Sequence, residues 1–273
     1  MPTIAHISDL HLQSGVPERQ SQVEPIFNKV NELDPYLIVV SGDVTDDGWD
    51  SIDELRWAKK WIEQRLGKKV LFQPGNHDVG NFANLLEGPI NDQRVRQWRS
   101  VFNPLPVNFG VQDPWAIIGI NSMLLGAELV SEETHMDRLE RELKVIEKGL
   151  PHIAAFMHSP MFVSQPGEST DPETDYWLGP YEPRLRLYER LKQAGVKLIG
   201  SGHVHQTRLT EVDGVKIVWA PPASGTWVHA PGLPNPPMPE QTGFFLHTLH
   251  DDGRVDSELI ACAPMLKLYE HNP

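Results

Sequence analysis

Short apolar runs alternate along the chain with segments whose apolar residues recur every three or four positions. Ile4–Ile7, Tyr36–Val40 and Val70–Phe72 are apolar runs of strand length. Between them, Val23–Leu33 and Ser51–Leu66 show helical periodicity; in the second, Ile52, Leu55, Ala58, Trp61 and Ile62 mark one face. This β-α-β-α-β rhythm predicts a parallel sheet covered on both faces. It continues with helices at Asn91–Phe102, Thr134–Lys148 and Tyr181–Ala194, and strands at Trp115–Ile120, Ile153–Met157 and Val196–Ile199. The pattern then changes. Thr207–Val212 and Val215–Trp219 flank Asp213-Gly214, and Phe244–Leu249 and Val255–Ile260 flank Asp251-Asp252-Gly253. Both read as β-hairpins. The proline-rich stretch Pro231–Pro239 reads as a surface loop.

Composition narrows the class. The chain has 273 residues, 40% of them hydrophobic, enough to bury a full core. Nothing resembling a linker divides it, so one domain is expected over 1–273. A net charge of −13 repels polyanions and argues against general nucleic-acid binding. A small anionic substrate is still compatible, because bound cations reverse the local field. The single cysteine, Cys262, makes no internal disulfide and is expected to pack in a late strand. The N-terminal residues lack a charged and then apolar leader, and no run approaches the ~18 apolar residues of a membrane helix. The expectation is a cytoplasmic protein without membrane contact.

Candidate chemistry gathers after the strands. Asp9-Leu10-His11, Gly42-Asp43-Val44-Thr45-Asp46, Gly75-Asn76-His77-Asp78, His158 and Gly202-His203-Val204-His205 each follow a short apolar run. Loops at the carboxyl ends of parallel strands converge on one crevice. Residues two apart on an extended segment point the same way, so Asp9 with His11, and His203 with His205, are expected to face one ion. The glycines let the backbone leave its strand sharply and approach the ion closely. Carboxylate and imidazole without thiolate suit Mn, Fe or Zn. A carboxylate such as Asp43 can bridge two ions about 3.5–4 Å apart, the arrangement used for in-line displacement at phosphorus. Each piece alone is ordinary; five in this order are not.

The ordered set Asp9-x-His11, Gly42-Asp43-x-x-Asp46, Gly75-Asn76-His77-Asp78, His158 and Gly202-His203-x-His205 resembles the calcineurin-like metallophosphoesterase superfamily. Within it, the chain is similar to bacterial class III cyclic nucleotide phosphodiesterases and related glycerophosphodiesterases. The resemblance implies an α/β fold, a four-layer α-β-β-α sandwich of two packed mixed sheets flanked by helices. In that arrangement 1–220 carries the metal motifs, and 221–273 supplies the proline-rich loop and C-terminal strands that complete the second sheet. Asp9, His11, Asp43 and His205 would hold one ion; Asp43, Asn76, His158 and His203 would hold the other. His77 would contact the scissile phosphate, stabilising its charge or protonating the leaving oxygen, with Asp78 orienting it. Asp46 matches the motif as a supporting residue rather than a ligand. The resemblance leaves a homodimer open.

The implied reaction is hydrolysis of a small phosphoester by a hydroxide bridging two metal ions, with the ions, Asn76 and His77 stabilising the developing charge. Protein phosphatases of the superfamily carry an arginine and glycine after the second motif's last aspartate, and Glu after Asn-His. Here Asp47 follows Asp46 and Asp78 follows His77. A missing phosphate-gripping cation costs a monoester dianion more than a diester monoanion, which favours a diester of cyclic nucleotide or glycerophosphodiester type. The alternatives are a broad-specificity phosphomonoesterase and a non-catalytic metal-bound scaffold. Two loops, 159–183 with Tyr176, Trp177 and Tyr181, and 221–242 with Trp227 and His229, are expected to rim the pocket. Their aromatic rings either stack on substrate or pack the loops onto the body.

Overall fold

The computed structural model describes residues 1–67, 69–82, 88–102, 108–111, 114–168, 172–225, 233–234, 237–238 and 241–264. Two mixed sheets lie face to face. The first contains β1 (Thr3–Ile7), β2 (Leu37–Ser41), β3 (Val70–Gln73), β10 (Gln241–Leu249) and β11 (Val255–Pro264), in the order β11-β10-β1-β2-β3. The second contains β4 (Asn108–Val111), β5 (Trp115–Gly119), β6 (His152–Phe156), β7 (Val196–Ser201), β8 (Arg208–Val212) and β9 (Val215–Trp219), in the order β4-β5-β6-β7-β9-β8. The parallel strands β1, β2 and β3 are bordered by antiparallel β10 on one side, and the parallel strands β5, β6, β7 and β9 by antiparallel β4 and β8 on both.

Buried residues form three apolar layers. Ile4, Val39 and Leu71 of the first sheet meet Ile117, Phe156 and Leu198 of the second. On the outer face of the first sheet lie α1 (Pro17–Leu33), α2 (Ile52–Glu63) and α4 (Asp92–Phe102), through Val23, Leu55 and Trp98. On the outer face of the second lie α5 (Val130–Ile146) and α7 (Tyr181–Gln193), through Leu139 and Leu187. Strands covered on both faces must be apolar on both, which is why β2 reads as the unbroken run Leu37-Ile38-Val39-Val40. The periodicity suggested one doubly covered sheet; the structure has two, as the family resemblance implied. Burial on both faces looks the same in sequence whether the second cover is helix or sheet. Among the described residues, no helix is long and apolar enough to cross a membrane.

Three expectations are corrected. The C-terminal hairpin does not complete the second sheet. β10 pairs antiparallel with β1 and so extends the first, because β1 has a free edge there and the two inward faces match in apolar residues. Helix α1 begins at Pro17 rather than Val23, with proline at its first turn and Arg19 as the first buried residue. A turn that buries an arginine shows no apolar period. Finally, the 159–183 loop contains a short helix, α6 (Pro172–Leu178). Cys262 lies half-buried in β11 against the core, as expected.

Candidate metal centre

Five strand ends deliver the candidate ligands, three from the first sheet and two from the second. Asp9 and His11 follow β1, Asp43 follows β2, and Asn76 opens α3 (Asn76–Val79) after β3. His158 follows β6; His203 and His205 follow β7. The site therefore sits on the seam between sheets. Backbone bonds carry the sheet pattern into the loops: Asp9 N donates to Gly42 O (3.1 Å), His11 N to Asp43 O (2.9 Å) and Gly202 N to His158 O (2.9 Å). The Asp9 carboxylate accepts from His203 N at 3.1 Å and ties the two sheets together.

The ligand-bearing segments are not extended. Among the described residues, eight non-glycines have positive φ, and five of them are Asp9, His11, Asp43, His203 and His205 (φ 55, 43, 48, 71 and 55°). Strand alternation is thus not what turns Asp9 with His11, or His203 with His205, inward; single left-handed residues do so. Each such residue costs of order 1–3 kcal/mol, a cost that persists only where the surroundings impose it. Two glycines allow the close approach. A Cβ on Gly75 would stand 2.1 Å from Asp43 Oδ1, and one on Gly202 would stand 1.7 Å from Ser8 Oγ and 2.4 Å from Asp9 Oδ2.

The side chains gather in three overlapping sets: Asp9, His11 and His205; His11, Asp43 and His77; Asp43, His158 and His203. In each set one ligand atom per residue lies within 4.8 Å of the others. Asp43 belongs to two sets, with Oδ2 3.6 Å from His11 Nε2 and 3.2 Å from His158 Nε2. Hydrogen bonds fix which nitrogen faces inward. His158 Nδ1 donates to Ser41 O (2.9 Å), so Nε2 is the nitrogen turned toward Asp43 and Asn76 Oδ1, the latter at 3.0 Å. His11 Nδ1 faces Asp46 Oδ1 (3.1 Å), and its Nε2 lies 3.1 Å from His205 Nε2. His203 Nε2 donates to Tyr176 O (3.2 Å), which leaves Nδ1 for the centre. The atoms turned inward are acceptors, and an acceptor cluster this deeply buried is stable only around positive charge.

Electrostatics agree. Burial pushes the Asp43 carboxyl up, but His158 and His77 outweigh it and hold it well below the usual carboxylate range. Burial likewise raises Asp9, and His205 overcomes it. Burial lowers His158, yet the Asp43 charge reverses this and lifts it to about 9. That proton sits where a cation would stand. Burial, then the neighbouring His158, lowers His203 to about 3, a neutral imidazole suited to ligation. The residues present fit metal coordination by nitrogen and oxygen.

Two expected roles change. Asp78 is buried, and its carboxylate accepts from Val44 N (3.0 Å), Thr45 N (2.9 Å), Thr45 Oγ1 (2.8 Å) and Gly75 N (2.9 Å). It stitches the β2 and β3 loops together rather than orienting the His77 ring. Burial and then Asp43 raise its carboxyl to about 6. The ring of His77 is held instead by Asp46, whose backbone oxygen accepts from Nδ1 at 2.8 Å. His77 is also the most open of these histidines, its side chain 28% exposed, so it marks the mouth of the site.

Asp46 does more than its motif position suggested. One carboxylate oxygen meets His11, and the other accepts from Arg19 Nη2 at 3.0 Å. Arg19 is 5% exposed, and the sequence reading missed it, because an arginine near a helix start carries no motif. Asp46→Ala is expected to weaken Mn binding to the metal-stripped protein by about 10–100-fold, read by calorimetric titration. An unchanged affinity would make the Arg19–Asp46 pair structural only.

Helix α6 borders the same cluster. The Tyr176 and Trp177 rings lie 5.6 and 5.3 Å from the His203 ring. Tyr181 lies further along, its hydroxyl donating to Gly167 O (3.3 Å). Trp227 and His229, expected on the second loop, lie outside the described residues.

The family model described as calcineurin-like phosphoesterase matches residues 2–207. The chain is 24% identical over 212 residues to "Serine/threonine-protein phosphatase CPPED1" of Danio rerio, covering 77% of this chain and 55% of that protein. It thus spans little more than half the length of this curated relative. It is also 24% identical over 258 residues to a "Probable cyclic nucleotide phosphodiesterase" of Ruthia magnifica subsp. Calyptogena magnifica, covering 92% of both. Among solved structures, a dimetal phosphatase from Danio rerio superposes with a TM-score of 0.64 at 13% identity, covering 96% of this chain and 100% of that one. With the fold, the acceptor cluster and a match across most of its length, this chain belongs to the calcineurin-like phosphoesterase family.

Proposed function

We propose that this protein hydrolyses phosphodiesters at a site holding two metal ions. The carrying observation is Asp43: one buried carboxylate within reach of His11 on one side and His158 on the other, amid inward-facing acceptors. In this reading Asp9, His11, Asp43 and His205 hold one ion, and Asp43, Asn76, His158 and His203 the other. Bound ions supply Lewis acidity and lower the pKa of water toward neutrality. The protein's own groups do the rest. Asp46 and Ser41 O hold the His11 and His158 rings with their Nε2 atoms inward. His77 Nδ1–H donates a hydrogen bond to Asp46 O, so only the cationic form of the ring also carries a proton on Nε2 for a phosphoryl or leaving oxygen. The absence of an arginine after Asp46 favours a singly charged diester. The Ruthia relative's name points the same way, and the Danio relative's name toward monoesters.

The test is hydrolysis of bis-p-nitrophenyl phosphate against p-nitrophenyl phosphate by metal-stripped protein reconstituted with Mn. Asn76→Ala is the control, because it removes an oxygen 3.0 Å from His158 Nε2. Expected is metal-dependent turnover of the diester, reduced about 10²–10³-fold in the variant. Preference for the monoester would replace the reading with a phosphatase. Two bound ions without turnover of either ester would point to a scaffold.

A further inference from the structure

Beneath the metal centre, a row of hydrogen-bonded side chains crosses the inner face of the first sheet. It takes one residue from each of four neighbouring strands: Ser257 of β11, His247 of β10, His6 of β1 and Ser41 of β2. Ser257 Oγ lies 2.8 Å from His247 Nδ1, His247 Nε2 3.4 Å from His6 Nδ1, and His6 Nε2 2.8 Å from Ser41 Oγ. His6, His247 and Ser41 are completely buried. Burial lowers His6 to about 3 and His247 well below its ordinary value, so both are neutral. A neutral imidazole has one donor and one acceptor, which matches a row of this kind with a hydroxyl at each end.

A satisfied pair of core histidines would explain the first three contacts. It does not explain where the row ends. Ser41 is the last residue of β2, and Gly42 and Asp43 turn away directly after it. The Ser41 carbonyl accepts from His158 Nδ1 at 2.9 Å and so sets the nitrogen His158 turns toward Asp43 and Asn76. The row therefore holds the one residue that both launches Asp43 and orients His158. The His6 ring also packs edge-on to Phe156, two residues before His158, with centroids 5.0 Å apart. His247 and Ser257 lie beyond residues 2–207, the part matched by the family model.

We propose that His6 and His247 are positioning residues for the ion set of Asp43, Asn76, His158 and His203, so that the C-terminal hairpin takes part in building the metal centre. This rests on the two-ion reading above. The experiment is calorimetric titration of the metal-stripped full chain with Mn, with circular dichroism melts alongside. His158→Ala identifies which class of sites belongs to this set. His6→Leu and His247→Leu are expected to weaken that class about tenfold and leave the other within about twofold; His247→Gln, which keeps a donor and an acceptor, is expected to recover most of the loss. Ser257→Ala, at the half-buried end of the row, is expected to weaken the same class by a smaller factor, and it decides the matter if the leucine variants do not fold. Folded variants with both affinities unchanged, or with both classes weakened equally, would overturn the inference alone. A wild-type protein binding fewer than two ions would overturn the two-ion reading, and the inference with it.

Discussion

Asp43→Asn is expected to lower diester turnover on the order of a thousandfold and to reduce the bound metal from two ions to one or none. The side chain is 1% exposed and reaches the two histidines that would belong to different ions. Among the described residues, Asp43 is the carboxylate shared by two of the three ligand sets. Asparagine suits this test for a backbone reason. Asp43 has φ 48°, and asparagine is among the few residues that accept left-handed geometry at small cost. Alanine would add strain to the loss of charge; asparagine removes the charge and little else. Metal analysis of purified protein and steady-state kinetics read the result. Turnover within tenfold of wild type with two ions retained would show that Asp43 does not bridge.

The thermal midpoint of the metal-stripped protein is expected to be highest near pH 7 and to fall on both sides. Burial opposes charge on His158, but Asp43 outweighs it and lifts the pKa from 6.5 to about 9. The folded chain then binds this proton more tightly than the unfolded chain. The stability so gained is complete below pH 6.5 and is lost as pH rises through 9, at most about 3 kcal/mol. On the acid side the sign reverses. Burial lowers His6 and His203 to about 3, and also lowers His11 and His247. Below pH 6.5 the unfolded chain takes up protons these four refuse, so stability falls as pH falls. Asp78, raised to about 6 by burial and Asp43, works the other way between about 3.8 and 6, as one group against four. Melts in chelator from pH 4.5 to 9.5 test the shape, and Asp43→Asn should flatten the alkaline limb. A midpoint unchanged from pH 6.5 to 9 would mean that His158 holds no proton against Asp43.

Local chemistry was readable from the chain. Apolar runs marked β1, β2, β3, β6 and β7, and the polar residues just after them marked Asp9, His11, Asp43, Asn76, His158, His203 and His205 as candidates. Those signals survive in one dimension because each lies within a few residues of its strand. What depended on neighbours distant in sequence was not readable. Arg19 reaches Asp46 from a helix whose first turn has no apolar period. Asp78 is adjacent to His77 in sequence, yet its carboxylate is taken by donors of two loops. Seven of the eight left-handed non-glycines among the described residues are Asp or His, types that tolerate that geometry, but other Asp and His residues do not adopt it, so residue type alone does not mark them. The C-terminal hairpin could have closed either sheet by its pattern alone. Its pairing with β1 was decided by the fit of its inward face, with Phe245 and His247, against β1 and Phe156. By itself, then, the sequence determined which residues are candidates for the chemistry and which strands present them. The tertiary structure alone decided which sheet each strand joins, which nitrogen each histidine turns inward and which buried partners hold it there, because those depend on contacts across up to 241 residues of chain.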